Sequence, residues 1–248
     1  MTLDRSLREV GLHHVAESLD EFIAQAVREA LAPQLVLERL ATQESDGRRA
    51  SSFRRRLDRS HLGRAPALAD FDWNHPAHID RGLVEQAFTL RFLDDGGAVL
   101  FVGPPGLGKT HLAKALVQTA LGAGRSALFV VERRLVDDLA AHDTTAALER
   151  RLHHYTRPQL LCVDEVAYQH IDIRRLDLLY ELLRRRYEAG RALILTACLP
   201  FAQWPSVYPS TAATAALVDR LVHRALLIRI DGDSYRRRQA TERAATRR

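Results

Sequence analysis

Lysine is nearly absent from this 248-residue chain, which contains only Lys109 and Lys114 among its 36 lysines and arginines. The formal net charge of +5 is therefore carried almost entirely by arginine. A bias toward arginine codons would produce this imbalance, and under such a bias we interpret Lys109 as a position where arginine would not serve. A compact ammonium fits between phosphate groups where a planar guanidinium does not, so Lys109 is a candidate functional residue.

Cysteine is also scarce, since Cys162 and Cys198 are the only two and both lie in apolar runs typical of buried strands. No paired Cys or His spacing accompanies them, which argues against a disulfide framework and a zinc site. We therefore interpret both as small buried hydrophobic residues. This usage of cysteine fits a reducing compartment.

Long apolar runs are missing as well. No stretch reaches the roughly 18 uncharged apolar residues typical of a transmembrane helix. The first 30 residues are rich in acidic side chains, which argues against a secretory signal or an organelle transit peptide. We therefore expect a cytoplasmic protein that does not span a membrane.

Two zones of the chain differ in periodicity. Residues 3–42 repeat apolar side chains every three to four positions, which predicts helices, and they contain no strand pattern. Residues 43–66 are polar and rich in arginine, and they indicate a linker or an extended basic helix. We place a small all-helical N-terminal domain with this linker at residues 1–66 and a second domain at residues 67–248.

In the second domain, short apolar runs alternate with helical segments. Five runs have the length of strands: Ala98–Val102, Ala127–Val131, 159–163, Ala192–Ala197 and 225–230. Helical spacing occurs between them at 111–121, 135–141, 146–155 and 174–188. This alternation predicts an α/β layered domain with a mainly parallel sheet.

A glycine-rich loop follows the first of these runs and opens a helical segment. It matches the G-x-x-x-x-G-K-[ST] pattern of phosphate-binding loops in the context that this pattern requires. Its glycines allow successive backbone N–H groups to point at phosphate oxygens, and the start of the helix adds positive charge. We expect Lys109 to reach the β- and γ-phosphates of ATP and Thr110 to bind Mg²⁺ through its hydroxyl. The candidate nucleotide-binding residues are Gly103, Pro104, Pro105, Gly106, Leu107, Gly108, Lys109, Thr110 and His111.

Two acidic residues follow a later apolar run. Asp164 and Glu165 come directly after the run at 159–163, about 55 residues beyond the glycine-rich loop. Ligands of open α/β sheets bind at the carboxyl ends of the strands, so both acids are expected beside the phosphates. Asp164 can hold Mg²⁺, and Glu165 can polarise a water for attack on the γ-phosphate. This arrangement favours hydrolysis over transfer to a small molecule.

Arginine is concentrated at two places. The last 13 residues hold six arginines, and residues 48–64 hold seven. Such clusters favour phosphate backbones because binding releases counterions, although a solvated linker and a frayed tail would have the same composition. The candidate DNA contacts in the earlier cluster are Arg48, Arg49, Arg54, Arg55, Arg56 and Arg59.

Several segments together carry a family resemblance. They are 69–73, 103–111, 164–168, 185–188, 201–204, 219–225 and 232–236. These segments make the chain similar to the IstB family of transposition helper ATPases, which are close relatives of the DnaC and DnaI helicase loaders. The likeness covers the whole length. The phosphate motifs are shared by many ATPases, and the last two segments narrow the choice.

The resemblance implies an AAA+ P-loop NTPase fold, with a three-layer α/β/α core and a mainly parallel five-stranded sheet. It also implies a homo-oligomer that assembles on duplex DNA with ATP and assists a partner transposase in selecting or remodelling target DNA. In such assemblies a neighbouring subunit supplies an arginine to the γ-phosphate, and Arg220 is at the matching position. The family's loop after the acidic pair lies near the DNA path, which makes Tyr168 a candidate DNA contact.

One position departs from the family pattern. The fourth core strand of the family usually ends in Thr-Ser-Asn, whose Asn orients the attacking water, whereas Thr196-Ala197-Cys198 stands here. A thiol is a poor substitute for a carboxamide donor. Hydrolysis is therefore expected to be slow, or Thr196 takes over part of this catalytic role.

Three alternatives stay open at the level of the sequence. A replicative helicase loader would share the same core and bind a helicase through its N-terminal helices. A P-loop kinase for a small molecule is disfavoured by Glu165 and the basic segments. A DNA-binding module in which ATP only sets assembly is kept open by Cys198.

Overall fold

The structure is a computed structural model that describes residues 2–209, 211–223, 225–235 and 237–238. Its contacts divide the chain into two units, residues 1–55 and residues 56–248. The sequence pattern instead suggests a domain boundary near residue 66. Among the described residues, no helix combines the length and the apolar character needed to cross a membrane.

The N-terminal unit is built from helices. They are α1 (Leu3–Glu9), α2 (His13–Glu17), α3 (Leu19–Arg28) and α4 (Pro33–Arg59), the last of which extends beyond this unit. Pro33 opens α4 because the first position of a helix does not need a backbone N–H donor. The buried carboxylate of Glu44 accepts the N–H groups of His14 at 2.8 Å and Val15 at 3.1 Å, which fastens the start of α2 to α4. The arginine-rich stretch at 43–66 is thus helical as far as Arg59.

The second unit contains a sheet with strand order β1-β6-β2-β5-β4-β3. Its strands are β1 (His78–Ile79), β2 (Ala98–Val102), β3 (Ala127–Val131), β4 (Leu160–Val166), β5 (Ala192–Ala197) and β6 (Ala225–Asp231). The five longer strands are parallel, and β1 pairs antiparallel with β6. The five parallel strands lie at the predicted apolar runs. The sixth strand was not predicted because two residues are too short to show a pattern.

Helices cover both faces of this sheet. They are α5 (Arg81–Phe88), α6 (Lys109–Gly122), α7 (Glu132–Ala140), α8 (Thr145–Thr156), α9 (Ile173–Glu188) and α10 (Thr211–Val222), with 3-10 turns at Leu68–Asp70, Arg91–Leu93 and Phe201–Ser206. Side chains alternate between the faces of a strand. Leu100 and Val102 pack in one cluster with residues of α7 and α9, whereas Val99 and Phe101 are buried outside that cluster. Helix α6 contacts the central strands as well. The predicted three-layer arrangement is confirmed.

The registers of the parallel strands determine which residues meet at the carboxyl edge. Val102 at the end of β2 pairs with Ala197 at the end of β5, and Ala197 also pairs with Val166 of β4. Every residue of β2 and β5 is buried, as expected for a parallel sheet covered on both sides. The glycine-rich loop, the acidic pair and the end of β5 therefore lie at the same edge of the sheet.

Candidate functional site

The glycine-rich loop leaves the carboxyl end of β2 and enters α6 at Lys109. Gly106 and Gly108 both have a φ of 86°, a left-handed conformation that favours glycine. A Cβ atom at Gly106 would lie 2.2 Å from the Ser234 hydroxyl, and one at Gly108 would lie 2.6 Å from the Phe71 ring. Neighbouring segments therefore pack so closely on the loop that side chains at these two positions have no room.

Lys109 is buried, and its ammonium group lies against the loop that precedes it. Nζ donates to the carbonyl oxygen of Gly103 at 2.6 Å and to that of Pro104 at 2.7 Å. These bonds satisfy a charge that would be costly to bury without partners. An ammonium held at this point can exchange carbonyl oxygens for phosphate oxygens, which form stronger, charge-assisted hydrogen bonds.

Asp164 connects the loop to the ends of two strands. Its carboxylate is 4% exposed and accepts hydrogen bonds from Thr110 Oγ1, with distances of 3.0 Å and 3.2 Å to its two oxygens. Thr196 Oγ1 donates to Asp164 Oδ1 at 2.5 Å and accepts the backbone N–H of Glu165 at 3.0 Å. The structure thus brings Thr110, Asp164 and Thr196 together, and the backbone of Glu165 adjoins them.

The chemistry of this group fits a hard divalent cation. A hydroxyl and a carboxylate are oxygen ligands that Mg²⁺ accepts, and nucleotide sites complete the shell with phosphate oxygens and water. Within the described ranges, His, Cys, Asp and Glu side chains form no group of three or more that could hold a metal ion. Thr110 and Asp164 would therefore hold Mg²⁺ together with a nucleotide.

The ends of β4 and β5 are irregular. The register between these strands shifts between Val163 and Val166, and Glu165 has a φ of 61° and an exposed side chain. Cys198 is half-buried just beyond β5 and its thiol is free. Cys162 lies inside β4, where burial raises the pKa of its thiol well above the usual value. Both cysteines were expected to be buried. Cys162 is, whereas Cys198 is only half-buried, so the expectation for Cys198 holds in part.

An open cleft adjoins the loop, and most of its wall was not expected from the sequence. Phe71 is buried there, with ring centroids 5.0 Å from Trp73 and 5.5 Å from His111. His75 and Tyr235 stack edge to face at 4.8 Å. The lining also includes Asp70, Asp72, Pro76 and residues 106–111. In the sequence, segments 69–73 and 232–236 were noted for their resemblance to the family and not as parts of a binding site. Nothing in the sequence marked His75 as a site residue.

Comparison with known proteins places this geometry in a family. A model of the IstB-like ATP binding proteins matches residues 5–243. The chain belongs to that family. The insertion sequence IS21 ATP-binding protein of Pseudomonas aeruginosa is 32% identical over 94% of this chain and 88% of its own length. An insertion-sequence ATP-binding protein of Mycobacterium tuberculosis is 31% identical over 96% of this chain and 94% of its own length.

The solved structures agree on the fold of this IstB-like protein. The crystal structure of DnaI matches with a TM-score of 0.56 and 22% identity, over 68% of this chain and 92% of that chain. At this identity the match shows the fold alone, which is that of an AAA+ P-loop domain. The family and the fold class predicted from the sequence are both confirmed.

The basic residues of α4 are mostly exposed in this IstB-like protein. Arg48, Arg49, Arg54, Arg55 and Arg59 are exposed, whereas Arg56 is half-buried and donates to the Leu121 carbonyl at 3.1 Å. Arg48 and Arg55 line a cleft in the N-terminal unit together with His13, His14, Ser51 and Ser52. The cluster is therefore not uniform, because Arg56 serves at least one internal contact and Arg48 donates to the Glu44 carboxylate at 2.7 Å and to the Gly11 carbonyl.

The structure describes the remaining candidate residues, which are Tyr168, Arg220 and the C-terminal arginines, to different extents. Tyr168 is 58% exposed, one residue beyond the buried Ala167. Arg220 belongs to α10, but its side chain lies outside the part of the chain that is described. Four of the six arginines of the C-terminal cluster, Arg236, Arg243, Arg247 and Arg248, also lie outside the described residues.

Proposed function

We propose that this IstB-like protein is a Mg²⁺-dependent ATPase that assembles on duplex DNA and assists a partner transposase. The observation that carries the proposed ATPase activity is that Thr110, at the start of α6, and Thr196, in β5, both contact Asp164 in β4. A hydroxyl and a strand-end carboxylate beside a phosphate loop are the pair that holds nucleotide-bound Mg²⁺. Relatives from insertion sequences that are named ATP-binding proteins support both parts of the proposal.

In the proposed mechanism, each residue has a defined task. Lys109 exchanges the carbonyls of Gly103 and Pro104 for oxygens of the β- and γ-phosphates. Bound Mg²⁺ supplies neutralisation of the charge on these phosphates. Glu165 accepts a proton from the attacking water. Thr196 keeps the Asp164 carboxylate and the Glu165 backbone in a fixed relationship.

The aromatic cleft is proposed to receive the base of ATP. It opens beside residues 106–111, where the loop would hold the phosphates, and its walls carry the rings of Phe71, His75 and Tyr235. Aromatic rings provide flat apolar surfaces for a planar base. The carboxylates of Asp70 and Asp72 offer acceptors for the exocyclic amine of adenine.

A pair of variants tests the ATPase. Glu165→Gln should bind ATP with Mg²⁺ as tightly as the wild type but hydrolyse it at least about 100-fold more slowly, because the proton acceptor is lost. Asp138→Asn serves as the control, since Asp138 is a carboxylate of α7 that pairs with Arg151 and Tyr155. Equal turnover in the wild type and Glu165→Gln would refute the assigned role.

Binding to duplex DNA is proposed for the exposed arginines of α4. Arg48 and Arg55 are seven residues apart, which places them on one face of the helix, and both line the cleft of the N-terminal unit. Guanidinium groups in such an array bind phosphates and release counterions. The same unit also carries Arg5 and Arg8, which lie outside this cleft and are each paired with an acid four residues away, as Arg48 is with Glu44.

A salt series tests this surface. The double variant Arg48→Gln/Arg55→Gln should bind duplex DNA more weakly and should reduce the slope of log K against log salt by roughly 1.8, about 0.9 per lost phosphate contact. The charge-matched control Arg5→Gln/Arg8→Gln should keep the wild-type slope. Identical slopes for both double variants would remove these two arginines from the DNA surface.

The role of Arg220 is proposed to be that of a finger from a neighbouring subunit. A Lys109→Ala chain lacks the nucleotide site and keeps Arg220, whereas an Arg220→Ala chain has the reverse defect. Each alone should hydrolyse little ATP, and a mixture should regain activity where a competent site meets a competent arginine. A mixture as inactive as its components would contradict a role in trans.

Transposition is favoured over helicase loading because the related proteins named above belong to insertion sequences. A pull-down with a transposase and with a helicase separates these two partners.

Two further alternatives are tested by the assay itself. Phosphate release without any acceptor excludes a small-molecule kinase, and multiple turnovers exclude a module in which ATP only sets assembly. The proposed site of action is the cytoplasm, where ATP, DNA and reduced cysteines occur together.

A further inference from the structure

A buried contact joins the segments that follow three neighbouring strands. Glu132 is the first residue of α7 directly after β3, Ala167 follows β4, and Tyr208 lies beyond the Phe201–Ser206 turn that follows β5. The N–H of Ala167 donates to Glu132 Oε2 at 3.1 Å and is also 3.1 Å from the Tyr208 hydroxyl oxygen. The Tyr208 hydroxyl donates to the other oxygen of Glu132. Both Glu132 oxygens and the Ala167 amide are therefore satisfied.

The burial of Glu132 indicates that this contact is more than packing. The side chains are hidden, with Glu132 3% and Tyr208 2% exposed. Burying a carboxyl group is costly, and an apolar side chain would fill the same space without that cost. The neighbouring guanidinium of Arg133 donates to Asp137 and Gln169. The hydrogen bonds of Glu132 to a backbone amide and a hydroxyl are the feature that an apolar residue could not reproduce.

The amide that Glu132 holds belongs to the segment that carries the proposed catalytic acid. Glu165 and Ala167 have φ values of 61° and 55°, left-handed conformations that non-glycine residues rarely adopt. Such conformations persist only where surrounding contacts determine them. Thr196 holds the N–H of Glu165, and Glu132 holds the N–H of Ala167. The segment is thus fixed at both left-handed residues.

We propose that Glu132 and Tyr208 are positioning residues that hold the segment Glu165–Tyr168 in its bent conformation and thereby place Glu165 for proton transfer. This inference rests on the proposed ATPase. Neither residue lines the phosphate loop or the aromatic cleft. Loosening the contact should therefore slow the chemical step and leave nucleotide binding intact, because a displaced general base loses the geometry that proton transfer requires.

Tyr208→Phe and Glu132→Gln test this inference in the full-length protein. Tyr208→Phe keeps the ring and removes the hydroxyl, and its kcat should fall at least about tenfold while KM and the affinity for ATP with Mg²⁺ stay within about twofold. Glu132→Gln keeps an acceptor for the Ala167 amide, so its kcat should lie between that of Glu132→Ala and the wild type. Hydrogen exchange of the Ala167 amide, measured by NMR, should quicken in Tyr208→Phe.

Tyr155→Phe is a matched control. Tyr155 is also buried, and its hydroxyl also donates to a carboxylate of α7, that of Asp138 at 2.7 Å. This variant loses the same chemical contact and should keep the wild-type kcat and the wild-type exchange rate at Ala167. A general loss of stability would slow both tyrosine variants equally.

Two results would overturn the inference. One is a kcat in Tyr208→Phe and Glu132→Gln equal to that of the wild type. The other is unchanged exchange at Ala167 in Tyr208→Phe. If the wild type binds ATP without hydrolysing it, the proposed ATPase fails, and the exchange rate alone then decides whether Glu132 and Tyr208 hold this segment.

Discussion

The Thr196 hydroxyl donates a hydrogen bond of 2.5 Å to Oδ1 of Asp164. Thr196 Oγ1 also accepts the backbone N–H of Glu165 at 3.0 Å, so one short side chain at the end of β5 contacts both acidic residues of β4. Thr196 is 2% exposed, and water cannot replace these bonds easily. The sequence left two expectations open, that hydrolysis is slow or that Thr196 takes over part of the role of the missing Asn, and the second stays a prediction to which these contacts give a specific form.

Thr196→Val should therefore impair the site. The substitution keeps the shape of the side chain but removes its hydroxyl, which leaves the Asp164 carboxylate short of one donor and the Glu165 amide without its acceptor. We expect kcat for ATP to fall at least about tenfold, since each lost bond in a buried site is worth about 1 kcal/mol or more. Thr196→Ser retains the hydroxyl and should recover most of the activity in a steady-state assay. Comparable rates for the Val and Ser variants would count against this role.

Cys198→Asn should raise turnover. A carboxamide can donate a hydrogen bond to a water or a phosphate oxygen, whereas a thiol is a weak donor. Multiple-turnover ATP hydrolysis with saturating DNA measures the change, and Cys198→Ser is the control for size and polarity. An unchanged rate in Cys198→Asn would mean that the identity of this residue does not limit hydrolysis.

Arg186 should prove essential for stability. This arginine of α9 is fully buried, and its guanidinium donates to five carbonyl oxygens, those of Tyr155, Thr156, Pro158, Gln159 and Ala192. Arg186→Met should lower the free energy of unfolding by about 3 kcal/mol, because buried carbonyls lose their donors. Urea denaturation measures this loss, and Arg184→Met, at a partly exposed position of the same helix, should cost less. A stability equal to that of the wild type would show that the carbonyls find other partners.

Glu132 should make stability depend on pH. Burial raises the pKa of its carboxyl from 4.5 to about 7. The folded state therefore binds this proton more tightly than the unfolded chain, so its stabilising contribution is complete below about pH 4.5 and is lost as pH rises through 7. Relative to wild type, Glu132→Gln should gain up to about 3 kcal/mol between pH 4.5 and pH 8, since each pKa unit corresponds to 1.36 kcal/mol. A difference in unfolding free energy that is constant over this range would contradict the prediction.

The sequence predicted the elements that depend on local patterns. The strands Ala98–Val102, Ala127–Val131 and Ala192–Ala197 have the predicted bounds, because buried parallel strands are continuous apolar runs. Helix α7 begins at Glu132, three residues before the predicted start, since its first turn contains the charged residues 132–134 and shows no apolar repeat. Strand β1 was too short to be recognised.

The site was predictable where its residues form a motif and not where folding assembles it. Lys109, Thr110 and Asp164 belong to spaced patterns, and the structure brings Thr110 and Asp164 together. His75 and Tyr235 are 160 residues apart, and the packing of β1 against β6 brings their segments together. Glu132 gave no signal either, because its partners are a backbone amide and one distant tyrosine.

The most direct test of the account is equilibrium binding of ATP to the purified protein, with Mg²⁺ and with a chelator in its place. We predict saturable uptake of one nucleotide per chain that is tightened by Mg²⁺, and a loss of at least about tenfold in affinity for Lys109→Ala, which lacks the charge that phosphate oxygens bind. Lys114→Ala, which removes the other lysine, should bind as the wild type does. Absence of uptake in the wild type, or equal affinities in the two lysine variants, would contradict the central claim.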